Sequence, residues 1–361
     1  MSTESEAALP IAEPPPDGGP DGPVTSIVER SRRTSAPPPL GSGFKTPISH
    51  RLAEGAIRGI AVSAILAIAL IFVFVAKEAL PLFWEPEAQE EIGGLSALVF
   101  ARQWDGYDEP THVWQPVAEP PKLDVIPLFV GTLKVTAIAM FVSVPIAILA
   151  AIFVSQYAGR RSRELLKPAI ELLASIPSVV LGFFALIVLA SLVHDAFGTT
   201  YRLNATVAAL ALSLAVIPVI FTITEDALRA VPRELTNAAL ALGARKHQVV
   251  LRVVLPAALP GIAAAVILGF GRAIGETMVV LMASGNAAVM EVFDPTSSAR
   301  TVTATIASEL GEVTQGDPHW RVLFLLGTVL FLMTFVINRA GASFVERISS
   351  RLTATERGAR R

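Results

Sequence analysis

The sequence predicts an all-α, polytopic membrane protein with about six transmembrane helices, and three observations carry that prediction. Apolar residues make up 52% of the 361-residue chain, charged residues only 17%, and the mean hydropathy is positive; a soluble chain of this length is not so apolar. Six apolar segments, roughly 57–79, 126–155, 172–193, 203–224, 261–284 and 322–338, each approach or exceed the ~20 residues needed to cross a bilayer. Lysine and arginine divide unequally between the two sides of these segments. With the N-terminus taken as cytoplasmic, twenty-one of the 29 fall in inside regions, six fall outside, and Lys134 and Arg272 lie within segments. That bias predicts that both termini are cytoplasmic.

Residues 1–50 read as a disordered cytoplasmic tail. Pro14-Pro15-Pro16, Gly18-Gly19-Pro20 and Pro37-Pro38-Pro39 alternate with Ser, Glu, Asp and Arg, and no apolar period is present that could bury a face. The tail lacks the short apolar core of a signal peptide. G-S-G-F-K-T, Gly41 to Thr46, fails as a phosphate loop because Phe44 rather than glycine precedes Lys45. No other stretch fits, so the chain is not expected to hydrolyse ATP itself. It has no cysteine, which excludes disulfides and thiolate metal sites.

Residues 51–125 carry the first spanning segment and the longest outside stretch. There Trp84, Trp104, Tyr107 and Trp114 are of the kind that populates a membrane–water boundary. Residues 126–341 form the transmembrane core. Lys134, near the start of its first segment, is expected to snorkel to the interface. Pro145, Pro177 and Pro218 lie inside segments and predict kinks or local breaks. Glu171 is a candidate ion-pair partner for the basic residues from Arg160 to Lys167. Glu225 and Asp226 read as helix-end charges where the fourth segment leaves the membrane. Residues 342–361 are a basic cytoplasmic tail.

The loop 231–256 is amphipathic and basic. Leu235, Ala238, Ala239 and Leu242 recur at helical intervals, and Gly243 can end that helix or let another backbone approach closely. A second run, 246–254, places Val249, Val250, Val253 and Val254 on one side. Pro256 and Pro260 are expected to break it before the membrane. Two short helices outside the lipid with small apolar residues exposed suit a groove on another protein; a surface pair packed on its own domain is the alternative.

The segment 261–284 is apolar yet charged near its middle, where a charge costs ~2.5–3.5 kcal/mol on insertion scales. Arg272 and Glu276 are four apart, so on one helix they share a face and can pair. Gly269, Gly271 and Gly275 allow neighbouring helices to approach. A structural ion pair is one reading. The other is a substrate pathway, in which Arg272 offers its donor fork to an oxyanion and Glu276 holds it in place.

The pattern A-A-x-x-x-G, nine further residues and V-V-L-P, carried by Ala238, Ala239, Gly243, Leu255 and Pro256, resembles the cytoplasmic coupling loop of ABC-importer permeases. Asn237 stands where that family usually has glutamate, so the resemblance carries the docking shape and not a charged contact there. R-A-I-G-E-T from Arg272 to Thr277, F-W-E at Phe83–Glu85, W-x-P at Trp114–Pro116 and P-L-x-x-G-T-L at Pro127–Leu133 narrow the resemblance. Over most of residues 80–340 the chain is similar to phosphate-specific permeases of the PstC type.

The resemblance implies a type I ABC importer permease fold and a multi-pass place in the inner (plasma) membrane, surrounded by lipid. It implies a substrate pathway at Arg272, Glu276 and Thr277. An ATPase-docking loop at Glu234, Asn237, Ala238, Ala239, Gly243, Leu255 and Pro256 is likewise implied. The partners it implies are a second permease of the PstA type in a heterodimer, a cytoplasmic ATPase dimer and a periplasmic phosphate-binding protein. No cofactor, metal, catalytic residue or nucleic acid is expected. A permease for sulfate or molybdate would carry the same coupling loop. A stand-alone channel would need more than one Arg–Glu pair as its selectivity ring. A membrane enzyme would need more than His194, read here in an outside loop.

Overall fold

The computed structural model describes residues 48–288 and 290–359, and the tail expected over 1–50 lies almost wholly outside them. The chain divides into two compact units at Leu66 and Ala67. The described part of the first unit is helical, with every side chain from Leu52 to Leu66 exposed. The helices are α1 (Ile48–Ala79), α2 (Pro86–Glu91), α3 (Ile126–Ile152), α4 (Arg160–Ala174), α5 (Ser178–Phe184), α6 (Ala190–Phe197) and α7 (Ala205–Arg229), followed by α8 (Arg233–Ala241), α9 (Lys246–Val249), α10 (Leu255–Gly275), α11 (Met278–Ala283), α12 (Val302–Glu309) and α13 (Pro318–Ala359). Two short strands, β1 (Trp114–Gln115) and β2 (Lys122–Leu123), pair antiparallel with Trp114 opposite Leu123.

Three wider, π-type turns keep neighbouring helices continuous. Phe153–Tyr157 extends α3, Ala185–Leu189 joins α5 to α6, and Val250–Val254 joins α9 to α10. Among the described residues six helices are then long and apolar enough to span: Leu52–Phe83, Ile126–Tyr157, Ser178–Phe197, Ala205–Arg229, Lys246–Gly275 and Pro318–Arg347. The third starts six residues later than 172, because Pro177 cannot donate a backbone hydrogen bond and ends the preceding helix. That helix, α4, is amphipathic and buries no residue fully. It is therefore an elbow against the bundle rather than part of a span. His194 falls in the last turn of α6, inside the third span and not in a loop. The helix expected to stop at 338 runs on to Ala359, through the region read as a basic tail.

The bundle is organised on α7. Its Ala208, Ala209, Ala211, Leu212, Ala215 and Val216 are all buried, and α3, α4, α10 and α11 pack against it. Small residues set these distances. A Cβ built on Gly261 would stand 2.4 Å from Ala227, and one on Gly269 would stand 2.5 Å from Ile220. These contacts run antiparallel, so α10 runs back along α7 from its C-terminal end and stops short of its N-terminal end. In the second unit α1 packs on α13, with the Phe72 and Phe331 ring centroids 4.8 Å apart.

A second core caps one end of the bundle. Leu82, Ile92, Trp114, Leu128, Val302 and Leu326 are buried together there. This corrects the boundary role expected for Trp114, which is only 3% exposed. Its indole N–H donates to Glu309 at 3.1 Å. The half-buried carboxylate gives the indole a partner that water would otherwise supply.

Gly269→Leu should lower the unfolding midpoint of the purified protein in detergent by the equivalent of ~1–3 kcal/mol through overpacking against α7. Gly275→Ala, which meets nothing within 4 Å, should leave the midpoint in place. Equal midpoints for G269L and the parent would contradict the close contact.

Candidate functional site

The first group of residues lies on α8. Pro232 precedes it, and Gly243 terminates it with φ +82°. The Gly243 N–H bonds to the Leu240 carbonyl at 2.9 Å and the Ala244 N–H to the Ala239 carbonyl at 3.2 Å, the double closure that a left-handed residue permits. Nothing lies within 4 Å of a Cβ added at Gly243. The glycine is needed for its conformation and not for close approach of another backbone. Glu234, Asn237 and Ala238 are exposed, Ala239 is half-buried, and Leu242 is 89% exposed. Within this chain α8 is thus a helix with an unpartnered face.

The second half of the loop differs from expectation. Val249, Val250 and Val254 are buried in the bundle core, so they present nothing to a partner. Neither proline breaks the helix. Pro256 sits in the first turn of α10 and Pro260 inside it. The wider turn at Val250–Val254 takes up the strain just upstream. Leu255 is half-buried and Pro256 exposed at the foot of this continuous helix.

Arg272, Glu276 and Thr277 are on one stretch, but Arg272 and Glu276 do not form the expected pair. The helix ends at Gly275, and Glu276 is extended, with φ −73° and ψ +133°. Four-residue pairing needs an unbroken helix, and here the turn that would align the two side chains is missing. Among the described residues neither side chain has an ion-pair partner. The Glu276 carbonyl instead accepts from the Thr303 hydroxyl at 2.8 Å. Thr277 begins the short helix α11. Arg272 is exposed, while Glu276 and Thr277 are half-buried. Sixteen residues of helix separate Pro256 from Arg272, about 24 Å at 1.5 Å per residue. The two candidate groups therefore sit at opposite ends of one rigid rod.

A buried charge cluster was not foreseen. Glu225, read as a helix-end charge, is 0% exposed. It accepts from the Lys167 ammonium at 2.9 Å and is paired with Arg229. Lys167 also lies 3.7 Å from Asp226 and 4.0 Å from Glu171, so the Glu171 pairing is present but secondary. The hydrogen bond to Glu225 holds the Lys167 pKa above its ordinary value. Lys167 and Glu225 are 58 positions apart, and no sequence spacing could have joined them. Lys134 does not snorkel. It is buried, and its ammonium donates to the Glu291 carbonyl at 2.7 Å and to the Ser297 hydroxyl at 2.5 Å, tying α3 to the 284–300 loop. In the cap, Glu309 pairs with Arg300 and with His319 at 2.9 Å.

A helical bundle with a broken, arginine-bearing span and an exposed helix at the foot of that span defines a membrane transport subunit. The chain belongs to the family described as binding-protein-dependent transport system inner membrane component, whose model matches residues 143–353. It is therefore a multi-pass inner-membrane protein. It is 36% identical over 225 residues to the probable ABC transporter permease protein YqgH of Bacillus subtilis, covering 62% of this chain and 72% of the relative. It is 32% identical over 290 residues to the phosphate transport system permease protein PstC of Mesorhizobium japonicum, covering 73% of this chain and 87% of the relative. Its fold is similar, with a TM-score of 0.50 at 16% identity, to a chain of a bacterial ABC transporter involved in import of the acidic polysaccharide alginate, over 82% of this chain and 99% of that one.

Removing Glu225 leaves two cations facing a buried site. Glu225→Ala should cost ~3–5 kcal/mol, as loss of one partner of a buried pair does. Lys167→Ala should cost less, because Arg229 still covers the carboxylate. Thermal unfolding in detergent that ranked the two in the opposite order would overturn this assignment.

Proposed function

We propose that this chain is a membrane-spanning subunit of an ATP-driven phosphate importer. A second permease of the PstA type, a cytoplasmic ATPase dimer and a periplasmic phosphate-binding protein complete the assembly. The observation that carries the reading is the rod α10, which has an exposed helix at its foot and an unpaired arginine at its broken upper end. The phosphate specificity is supported by the PstC-type relatives. The lysine and arginine bias supports cytoplasmic termini, which puts α8 on the ATPase side.

The mechanism follows from that rod. α8 seats in a groove of the ATPase through Ala238 and Leu242, with Glu234, Asn237 and Gly243 shaping the seat and Leu255 and Pro256 anchoring it to α10. Closure of the ATPase pair on ATP moves α8, and α10 carries the movement to mid-membrane as a rigid element. There the broken backbone from Glu276 to Thr277 is tolerated because it lines a water-filled path. Arg272, planar and always protonated, attracts the anion. Among the described residues no carboxylate pairs with it, so attraction does not depend on opening an ion pair. Glu276, one residue past the helix end, adds a negative charge that keeps the anion from being trapped.

Ala238→Trp should release the ATPase from the assembled complex while the chain remains inserted; co-purification of ATPase at the parental ratio would refute the docking assignment. Arg272→Gln should reduce labelled-phosphate uptake into proteoliposomes by at least about tenfold, the effect of losing one charge-assisted contact, with the assembly intact. Uptake that sulfate competes away as readily as unlabelled phosphate does would reassign the substrate to another oxyanion.

A further inference from the structure

A cavity of about 440 Å³ lies where the inner ends of α3, α4 and α7 meet α8. Its polar lining comes from Ser155, Gln156, Arg163, Arg229, Arg233, Thr236 and Asn237, and no carboxylate is among the lining residues. The charge does not cancel. Arg229 is paired with Glu225, which Lys167 already shares. Arg163 donates to the Val154 and Ser155 carbonyls at 3.0 and 2.6 Å, which uses donors but leaves its charge. Among the described residues the side chains of Arg233, Gln156, Thr236 and Asn237 have no hydrogen-bond partner. Asp226 pairs with Lys167, and Glu234, next on α8, does not line the cavity.

We infer that this cavity binds one phosphate group, as free inorganic phosphate or as the headgroup of an anionic phospholipid. Guanidinium forks, two primary amides and two hydroxyls are donors in excess of acceptors. They converge from three helices and an elbow. A planar carboxylate has two oxygens and cannot use donors from so many directions, whereas a tetrahedral phosphate offers three or four. The bound group joins α4 and α7 to α8, the helix proposed to seat in the ATPase. Its occupancy therefore stiffens the link between the docking helix and the bundle. The inference rests on the importer reading for the cytoplasmic placement of the cavity.

The test uses the full complex in nanodiscs, without the binding protein. Labelled inorganic phosphate is titrated into phosphatidylcholine discs holding the parent, Arg163→Gln, Asn237→Glu or Arg272→Gln. R163Q keeps an amide N–H for the Val154 carbonyl and removes the charge together with the outer donor to Ser155. N237E places a carboxylate in the cavity. A saturable component should weaken by at least about tenfold in both, as expected for one lost charge-assisted contact, and should persist in R272Q, which separates it from the pathway. Discs containing phosphatidylglycerol distinguish the source. If the headgroup is the ligand, native mass spectrometry finds that lipid retained by the parent and lost from R163Q. If neither phosphate nor phosphatidylglycerol retention depends on Arg163 and Asn237, the site is refuted, and an acidic side chain of the ATPase becomes the occupant. Phosphate uptake assayed with the binding protein on the same preparations separates the two readings. Uptake without Arg163-dependent binding rejects the site alone, and Arg163-dependent binding without phosphate uptake rejects the importer reading alone.

Discussion

Close packing against α7 is the constraint on which the other spans depend. In a bilayer the lipid tails are as apolar as leucine, so helices gain little by burying apolar area and associate through contact and shape. The alanines of α7 and the glycines of α10 provide that shape, since an added methyl group at Gly261 or Gly269 would overlap α7. The same closeness fixes the register of α10 along α7. Register is what puts its own end partway along α7 and its foot beside the C-terminal end of that helix. The Lys167–Glu225–Arg229 cluster sits at that terminus, where it fastens the elbow α4 to α7. A buried ion cluster adds little net stability compared with apolar packing, but it fixes one arrangement of three segments just before α8 begins.

Continuity of helix from Lys246 to Gly275 has mechanical consequences. Had Pro256 and Pro260 broken the chain, motion of α8 would have been absorbed in a hinge. The wider turn at Val250–Val254 leaves the rod intact, and the break falls instead at Glu276. Backbone groups freed at membrane depth need partners from protein or water. Thr303 supplies one for the Glu276 carbonyl. The break in the span is thus beside Arg272 rather than beside α8.

Much of this was legible in the sequence, and the unread parts share a cause. Hydropathy and length located all six spans, and the A-A-x-x-x-G pattern located α8, because both are local signals. Proline acted in two ways. Pro177 makes the local break expected of it, while Pro256 and Pro260, expected to break the chain, end nothing. The outcome depends on whether a neighbouring turn can widen, which composition does not encode. The Arg272–Glu276 pairing failed because four-residue spacing has meaning only inside a helix, and Gly275 stands between them. Glu225 and Lys134 owe their burial to partners 58 and 157 positions away. Asn237 was visible as a departure from the coupling-loop pattern, but the acid-free cavity it helps to line exists only once α3, α4, α7 and α8 have met.

The uncompensated charge of Arg272 bears on what must lie beside it. An arginine facing lipid at the centre of a span costs at least ~2.5–3.5 kcal/mol, and among the described residues no carboxylate pairs with Arg272. The last turn of α10 returns part of that cost, because the negative end of the helix dipole lies there, but this is ~0.3–1 kcal/mol at most exposed sites. The remainder has to come from outside the chain, through water or through a neighbouring protein face. In the importer proposed above, a second permease closing a hydrated path along this side of α10 would satisfy that requirement without burying the guanidinium in an ion pair that an incoming anion would have to displace.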